Sequence, residues 1–291
     1  MIQPVWQRAL RYIAALVATL FFAFPIYYWI TVAFKSDRDI FTVPPKLFDF
    51  APTMKSFEQV FGISLGFDRG LEVLPGGGNF YMLPRLWDSI VVAFFSTILA
   101  VAIATLAAYA LSRLRFRAQH HFVFWVLSTR MMPPVAIAIP MFFIYKGFGL
   151  LDTYTGVILV HALMNMPLAV LLLKSFFDDI PPEIDEAALI DGASRFTIFR
   201  KIVFPMAVGG VAATAVLCFV FSWTEFLFVL TLTQTSLKTV PVVSSTFVTS
   251  TGTAWGNMAA LGTAAMIPAF IFILLVQRNL VRGLTLGSLK Q

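Results

Sequence analysis

The chain has 291 residues, of which 59% are hydrophobic and only 12% charged, with a mean hydropathy of +0.84. Soluble domains carry roughly 25% charged residues, so a soluble globule is excluded; disorder needs low hydrophobicity and high charge, and is excluded too. One cysteine, Cys218, rules out a disulfide framework, and the formal charge of +6 must be read from where the charges fall.

In chain order, residues 1–11 carry Arg8 and Arg11 and precede an apolar run at 12–34. About 20 largely apolar residues cross a hydrocarbon core of roughly 30 Å as a helix. The run is too long for a signal-peptide core and lacks a small-residue cleavage site, so it reads as a retained anchor. Residues 35–88 are the one extramembrane piece large enough to fold by itself. There Pro44, Pro45, Pro52, Pro75 and the run Gly76, Gly77, Gly78 predict turns and short helices. This piece is either a cap over the outer mouth of the bundle or a docking surface for an external partner. Further spans are expected at 89–111, 122–145, 154–173, 205–231 and 258–281, followed by a tail at 282–291. The runs do not alternate with period two, which argues against a barrel. The fold class is an all-α integral membrane protein with six transmembrane helices, forming one transmembrane domain over residues 70–281 or so.

Orientation follows from the basic residues. Twelve of the 21 Lys and Arg fall on one side: Arg8 and Arg11, three in the 112–121 loop, four in the 174–204 loop, Arg278 at the end of the last span, and Arg282 and Lys290 in the tail. The opposite side holds six in 35–88, mixed with seven acids, and its short loops carry only Lys146 and Lys238. The positive-inside rule then sets both termini in the cytoplasm. The basic balance is a topology signal, and nucleic acid drops out as a partner.

The inner loop at 174–204 concentrates six of the fifteen acids: Asp178, Asp179, Glu183, Asp185, Glu186 and Asp191. Pro181 and Pro182 suit the first turn of a helix. Asp185 is the expected cap, and first-turn acids complement the helix dipole. Gly192 supplies the left-handed residue that ends this helix. A second short helix is expected over 194–203, closed by Pro205.

Glu186-Ala187-Ala188, three residues, Gly192, nine residues, then Ile202-x-Phe204-Pro205 resembles the EAA loop of bacterial ABC importer permeases. Phe204 stands where that family has Leu. Met131-Met132-Pro133-Pro134 with Pro140, and Gly149 to Thr153, resemble the third-span region of carbohydrate importer permeases. Phe221-Ser222-Trp223-Thr224-Glu225-Phe226 resembles their Trp-Asn-Glu-Phe stretch, with Thr224 in place of Asn, and the ending from Arg282 to Lys290 also fits. From Tyr12 to the C-terminus the chain is most similar to the MalG-like, six-span member of a two-permease sugar importer.

The resemblance implies an ABC type I importer permease fold in the bacterial cytoplasmic (inner) membrane. It implies a subunit that moves a sugar or sugar-like solute (an oligosaccharide, a polyol or a sugar derivative) by alternating access. Its partners would be a second permease subunit in a heterodimer, two copies of a cytoplasmic ABC ATPase, and an extracytoplasmic solute-binding protein. Glu186, Ala187, Ala188, Asp191 and Gly192 would form the coupling helix seated in the ATPase, passing motion into spans four and five. No catalytic residue, metal or cofactor is expected in this chain; ATP-Mg would be bound by the ATPase. The sequence agrees in lacking a G-x-x-x-x-G-K-[ST] loop.

Ionised groups at mid-bilayer cost at least about 2.5–3.5 kcal/mol and usually face a cavity or partner. Arg130 and Glu225 are the two cases, and helix rise sets them roughly 13 Å and 30 Å from the inner end, so a mutual pair is not expected. Arg130, Pro133, Pro134, His161, Asn165, Trp223 and Glu225 are the candidates for the translocation path. Pro133 and Pro134 interrupt the third span's hydrogen-bond ladder. His161 and Asn165 share one helix face and suit a neighbouring helix better than sugar hydroxyls. Trp223 suits a sugar ring or a membrane interface.

Three other classes compete with this reading. An intramembrane enzyme lacks a nucleophile–base or metal set, since only His120, His121 and His161 exist and there is no H-E-x-x-H. A proton-coupled secondary transporter would need acids buried in the bundle, and only Glu225 offers itself. An ABC permease for a non-carbohydrate solute shares the EAA loop and is separated only by the proline and Trp-Thr-Glu-Phe stretches.

Overall fold

The computed structural model describes residues 5–62, 82–114, 117–250 and 252–287. In chain order the elements are α1 (Val5–Ala33), α2 (Asp37–Ile40), α3 (Lys55–Phe61), α4 (Met82–Arg113), α5 (Gln119–Arg130), α6 (Pro134–Gly147) and α7 (Tyr154–Asp178). Next come α8 (Glu183–Ile190), α9 (Arg195–Ile198), a π turn at Phe199–Val203, α10 (Phe204–Trp223) and α11 (Leu227–Leu232). The chain then forms α12 (Val240–Ser244), a 3-10 turn at Ser245–Phe247, the hairpin β1 (Val248–Thr249) and β2 (Gly252–Thr253), and α13 (Trp255–Gly287). The hairpin is antiparallel, with Val248 facing Thr253.

Among the described residues five helices are long and apolar enough to cross a membrane: Trp6–Ala33, Met82–Arg113, Tyr154–Asp178, Arg195–Trp223 and Trp255–Gln277. The pair α5 and α6, which meet at 93°, is together long and apolar enough to make a sixth when counted as one broken span. The interruption that Pro133 and Pro134 predict within 122–145 is this corner. Pro133 has an extended ψ of 125°, and Pro134 opens α6 where its missing N–H costs nothing.

The expected span 205–231 is corrected. α10 stops at Trp223 and α11 begins at Leu227, with Phe226 at a non-helical φ of −121° between them. The remaining helices outrun their expected limits. An apolar count stops at the first charges, whereas a helix continues wherever those charges find partners. α4 starts at Met82, so residues 82–88 are already helical. α7 continues to Asp178, whose carboxylate lies 2.5 Å from Lys174 one turn earlier. α1 begins at Val5 and α13 runs through Gly287, so most of both expected end segments is helix. Residues 1–4, 63–81 (including Pro75 and the glycine run), 115–116, 251 and 288–291 lie outside the described residues.

The chain divides into two compact units. The first comprises Met1–Pro84 with Val243–Met266. In it α1 is exposed over most of its length, and its last turns carry the buried Thr31, Val32 and Ala33. Tyr27 donates to Leu47 O at 2.9 Å, and Phe34 meets Phe57 at 5.0 Å between ring centroids. The Lys35 ammonium is buried over the rings of Tyr28 and Phe50, at 4.7 and 5.0 Å. Burial pushes its pKa below the usual lysine value, with Asp39 opposing.

The second unit comprises Arg85–Val242 with Ile267–Gln291. Its main core joins Ala104, Ala108 and Leu111 of α4, Leu173 and Phe177 of α7, Ala188 of α8, Ile198 and Val203, and Ala207 and Cys218 of α10. The small residues bring the backbones close, as is usual between membrane helices. At Gly210 there is no room for a side chain: a Cβ there would meet the Phe176 ring at 2.3 Å.

Candidate functional site

The loop that carries the EAA pattern forms one end of the second unit. Pro181 and Pro182 lead into α8, and Glu183, Asp185 and Glu186 fill its first turn, where the dipole favours acids. Asp185 is not the cap the sequence suggests, which is a correction. It lies inside the turn, with Oδ2 accepting from Arg113 Nε at 2.9 Å and Oδ1 from Tyr109 OH at 3.1 Å. Ala188 faces the core, while Glu186, Ala187, Leu189, Ile190, Asp191 and Gly192 face outward. Ile190 is 87% exposed and Phe196 67% exposed, a costly display for two large apolar side chains. Gly192 has φ +82°, a left-handed turn that reverses the chain after α8.

Ser194 then caps α9, accepting the Thr197 N–H at 3.3 Å. The helix expected over 194–203 is corrected to α9 followed by the π turn. Pro205 has no N–H to give to an α-ladder, and the Phe204 N–H reaches back five residues to Phe199 O.

The polar residues within the spans fall into two groups. Asn165 on α7 donates from Nδ2 to Ser222 Oγ at 2.9 Å and Cys218 O at 3.3 Å on α10, and Ser222 Oγ lies 2.9 Å from Ser96 Oγ on α4. One turn away, His161 Nε2 lies 3.3 Å from Glu225 Oε2, an electrostatic contact whose alignment falls short of a hydrogen bond. The same carboxylate accepts the Phe228 N–H at 2.8 Å and the Val229 N–H at 3.2 Å, so Glu225 starts α11. Arg130 stands apart from this pair. Its Nη1 donates to Met164 O at 2.9 Å on α7, in the turn that Pro167 loosens, and its guanidinium lies 5.2 Å from the Phe221 ring centroid. Trp223 stacks on Phe219 at 5.5 Å, and Phe219 on Phe272 at 3.9 Å. Pro133 and Pro134 form the corner between α5 and α6.

At the far end from α8, two carboxylates hold the 233–239 loop. Asp152 takes φ +58° and accepts the N–H groups of Gln234, Thr235, Ser236 and Leu237 at 2.9–3.2 Å. Burial opposes its charged form, yet these four donors hold its carboxyl well below the usual carboxylate range. Asp88 accepts from Tyr154 OH, from Arg85 Nη1 at 3.1 Å and from the Lys238 N–H at 3.3 Å. Arg85 in turn donates to Ser236 O at 2.9 Å.

In the sequence Arg113, Arg85 and Asp88 enter only the charge count, and Tyr109 gives no signal. Apart from the Arg85–Asp88 pair, the partners that join them to other helices and loops lie 64 to 151 residues away, and no spacing in the chain signals such bonds.

The family described as binding-protein-dependent transport system inner membrane component matches residues 100–286. The chain is 31% identical to the sulfoquinovosyl glycerol transport system permease protein SmoH of Agrobacterium fabrum, covering 97% of this chain and 94% of that one. It is 30% identical to the trehalose/maltose transport system permease protein MalG of Thermococcus litoralis, covering 99% of each. Its fold matches a chain of a bacterial ABC transporter that imports the acidic polysaccharide alginate, with a TM-score of 0.70 at 20% identity over 96% of this chain and 99% of that one. The match runs from within α4 into α13 and includes the α8 loop, and this chain belongs to the family of inner-membrane components of binding-protein-dependent transport systems.

Proposed function

We propose that this chain is the permease subunit of an ATP-driven importer that carries a sugar or sugar-like solute through the cytoplasmic membrane by alternating access. The observation that carries the reading is α8 with its exposed Glu186, Ala187 and Ile190, ended by the left-handed Gly192. A short helix that presents large apolar groups to water needs a partner. In the proposed assembly that partner is a cytoplasmic ATPase, and α8 is the coupling helix seated in it. Sugar import rests on the relatives, whose names tie them to sulfoquinovosyl glycerol and to trehalose and maltose.

In this reading both termini and the α8 loop are cytoplasmic, a second permease subunit completes a heterodimer, and two ATPase copies bind ATP-Mg beneath it. This chain hydrolyses nothing, and a solute-binding protein delivers cargo to the opposite face. Arg130 and the α5–α6 corner at Pro133 and Pro134 border the path. Trp223 and the His161, Asn165 and Glu225 joints set the helices around it. The reading is tested by uptake in proteoliposomes holding the whole assembly, with the solute-loaded binding protein. Uptake should stop when ATP is withdrawn and should survive collapse of the proton gradient. Uptake that survives without ATP but collapses with the gradient would overturn the reading in favour of a secondary transporter.

A further inference from the structure

Arg113 is the last residue of α4, and it and Asp185 are nearly buried, with side chains 9% and 12% exposed. The guanidinium is used on three sides. Nε donates to Asp185 Oδ2 at 2.9 Å, Nη1 to Phe177 O and to Ser112 Oγ at 3.1 Å each, and Nη2 to Ile180 O at 2.9 Å. Phe177 lies in the last turn of α7 and Ile180 just past its end, where the helical ladder runs out and carbonyls look for other donors. One turn back on α4, Tyr109 gives its OH to the second oxygen of Asp185. The Tyr109 ring rests on Phe177 at 5.8 Å and on Phe199 of the π turn at 4.9 Å.

Four segments thus meet at one side-chain cluster: the end of α4, the end of α7, the first turn of α8, and the π turn. A purely apolar contact lets helices slide, but a planar, charged fork fixes direction and distance. Pulling α8 away from α4 would strip a buried carboxylate of its cation, which is strongly unfavourable.

The geometry points to Arg113 as a positioning residue that locks α8, the end of α7 and the end of α4 into one rigid body. A push received by α8 then enters α4 directly, rather than only the two spans that flank the loop. The inference rests on α8 being the coupling helix.

The test uses the assembled transporter with Cys218→Ser and spin labels at Leu114→Cys, just beyond α4, and Glu183→Cys, at the exposed start of α8. Label distances are measured without nucleotide and with ATP, magnesium and vanadate. With Arg113 and Asp185 intact, the two distance distributions should superimpose, because α8 and α4 move together. Arg113→Gln, and the isosteric Asp185→Asn, should each give a distribution that shifts on adding nucleotide. A label pair that separates in the unmodified joint, or variants that superimpose as the wild type does, would overturn the inference. Failure of the coupling reading shows differently, as an ATPase that stays bound to a Glu186→Ala/Gly192→Pro chain.

Discussion

His161 Nε2 stands 3.3 Å from Glu225 Oε2, and that carboxylate also accepts the N–H of Phe228, so one side chain both starts α11 and ties it to α7. The broken span between Trp223 and Leu227 depends on this double role, because no proline or glycine occupies the break. Removing the carboxylate strands two backbone N–H groups. Glu225→Ala is therefore expected to destabilise the detergent-purified protein by about 1–2 kcal/mol, the usual worth of a helix cap. Glu225→Gln keeps an acceptor and should lose less. Thermal unfolding of the two variants checks this, and equal losses would refute the capping role.

Gly210 tests the packing of α10 on α7. An alanine Cβ would lie 2.3–2.7 Å from the root of the Phe176 ring, which is anchored too near the backbone to swing clear cheaply. Gly210→Ala should cost about 1–3 kcal/mol, as overpacking usually does. Phe176→Leu added to it should recover part of that loss, whereas independent sites would simply add. Melting curves of the single and double variants read the coupling.

Asp152 makes a prediction in pH. Its folded pKa is depressed by the four N–H groups of the 233–239 loop, so its contribution is fully present above the unfolded value near 3.9 and is lost as pH falls through the folded value. Between pH 5 and 8 the loop should therefore hold without any dependence on pH. Asp152→Ala should speed hydrogen exchange at Gln234 to Leu237 about tenfold or more, since bonds to a charged group are worth roughly 1.5–3 kcal/mol. Exchange mass spectrometry at pH 7 reads the difference, and unchanged rates would show that other contacts hold the loop.

The spans were legible because an apolar run long enough to cross a bilayer has few other uses. The corner at Pro133 and Pro134 was legible for a similarly local reason, since two missing N–H groups interrupt any ladder. Gly192 showed itself by following a helix with first-turn acids, and it takes the left-handed turn expected of it. The break at Trp223 was not legible, because it is made by a carboxylate that satisfies backbone groups ahead of it, and an apolar count reads straight through. Asp185 was mistaken for a cap because its true partner, Arg113, lies 72 residues earlier on α4. Arg130 and Glu225 take separate partners, but not for the difference in depth the sequence suggests. Arg130 reaches Met164 and Phe221, each about one turn from His161 and Glu225 respectively, because the α5–α6 corner changes the direction of the span. That Glu225 would meet His161 required knowing how α7 lies against the α10–α11 break.

The central claim is that α8 receives the force that drives transport. The most direct measurement is co-purification of this chain with its ATPase and second permease, comparing the wild type with Glu186→Ala/Gly192→Pro. Gly192→Pro cannot adopt φ +82°, so it misdirects the end of α8, while Glu186→Ala removes an exposed carboxylate without disturbing the core. The account expects the wild type to retain the ATPase and the variant to lose it while still holding the second permease. An ATPase that binds both forms equally would contradict it.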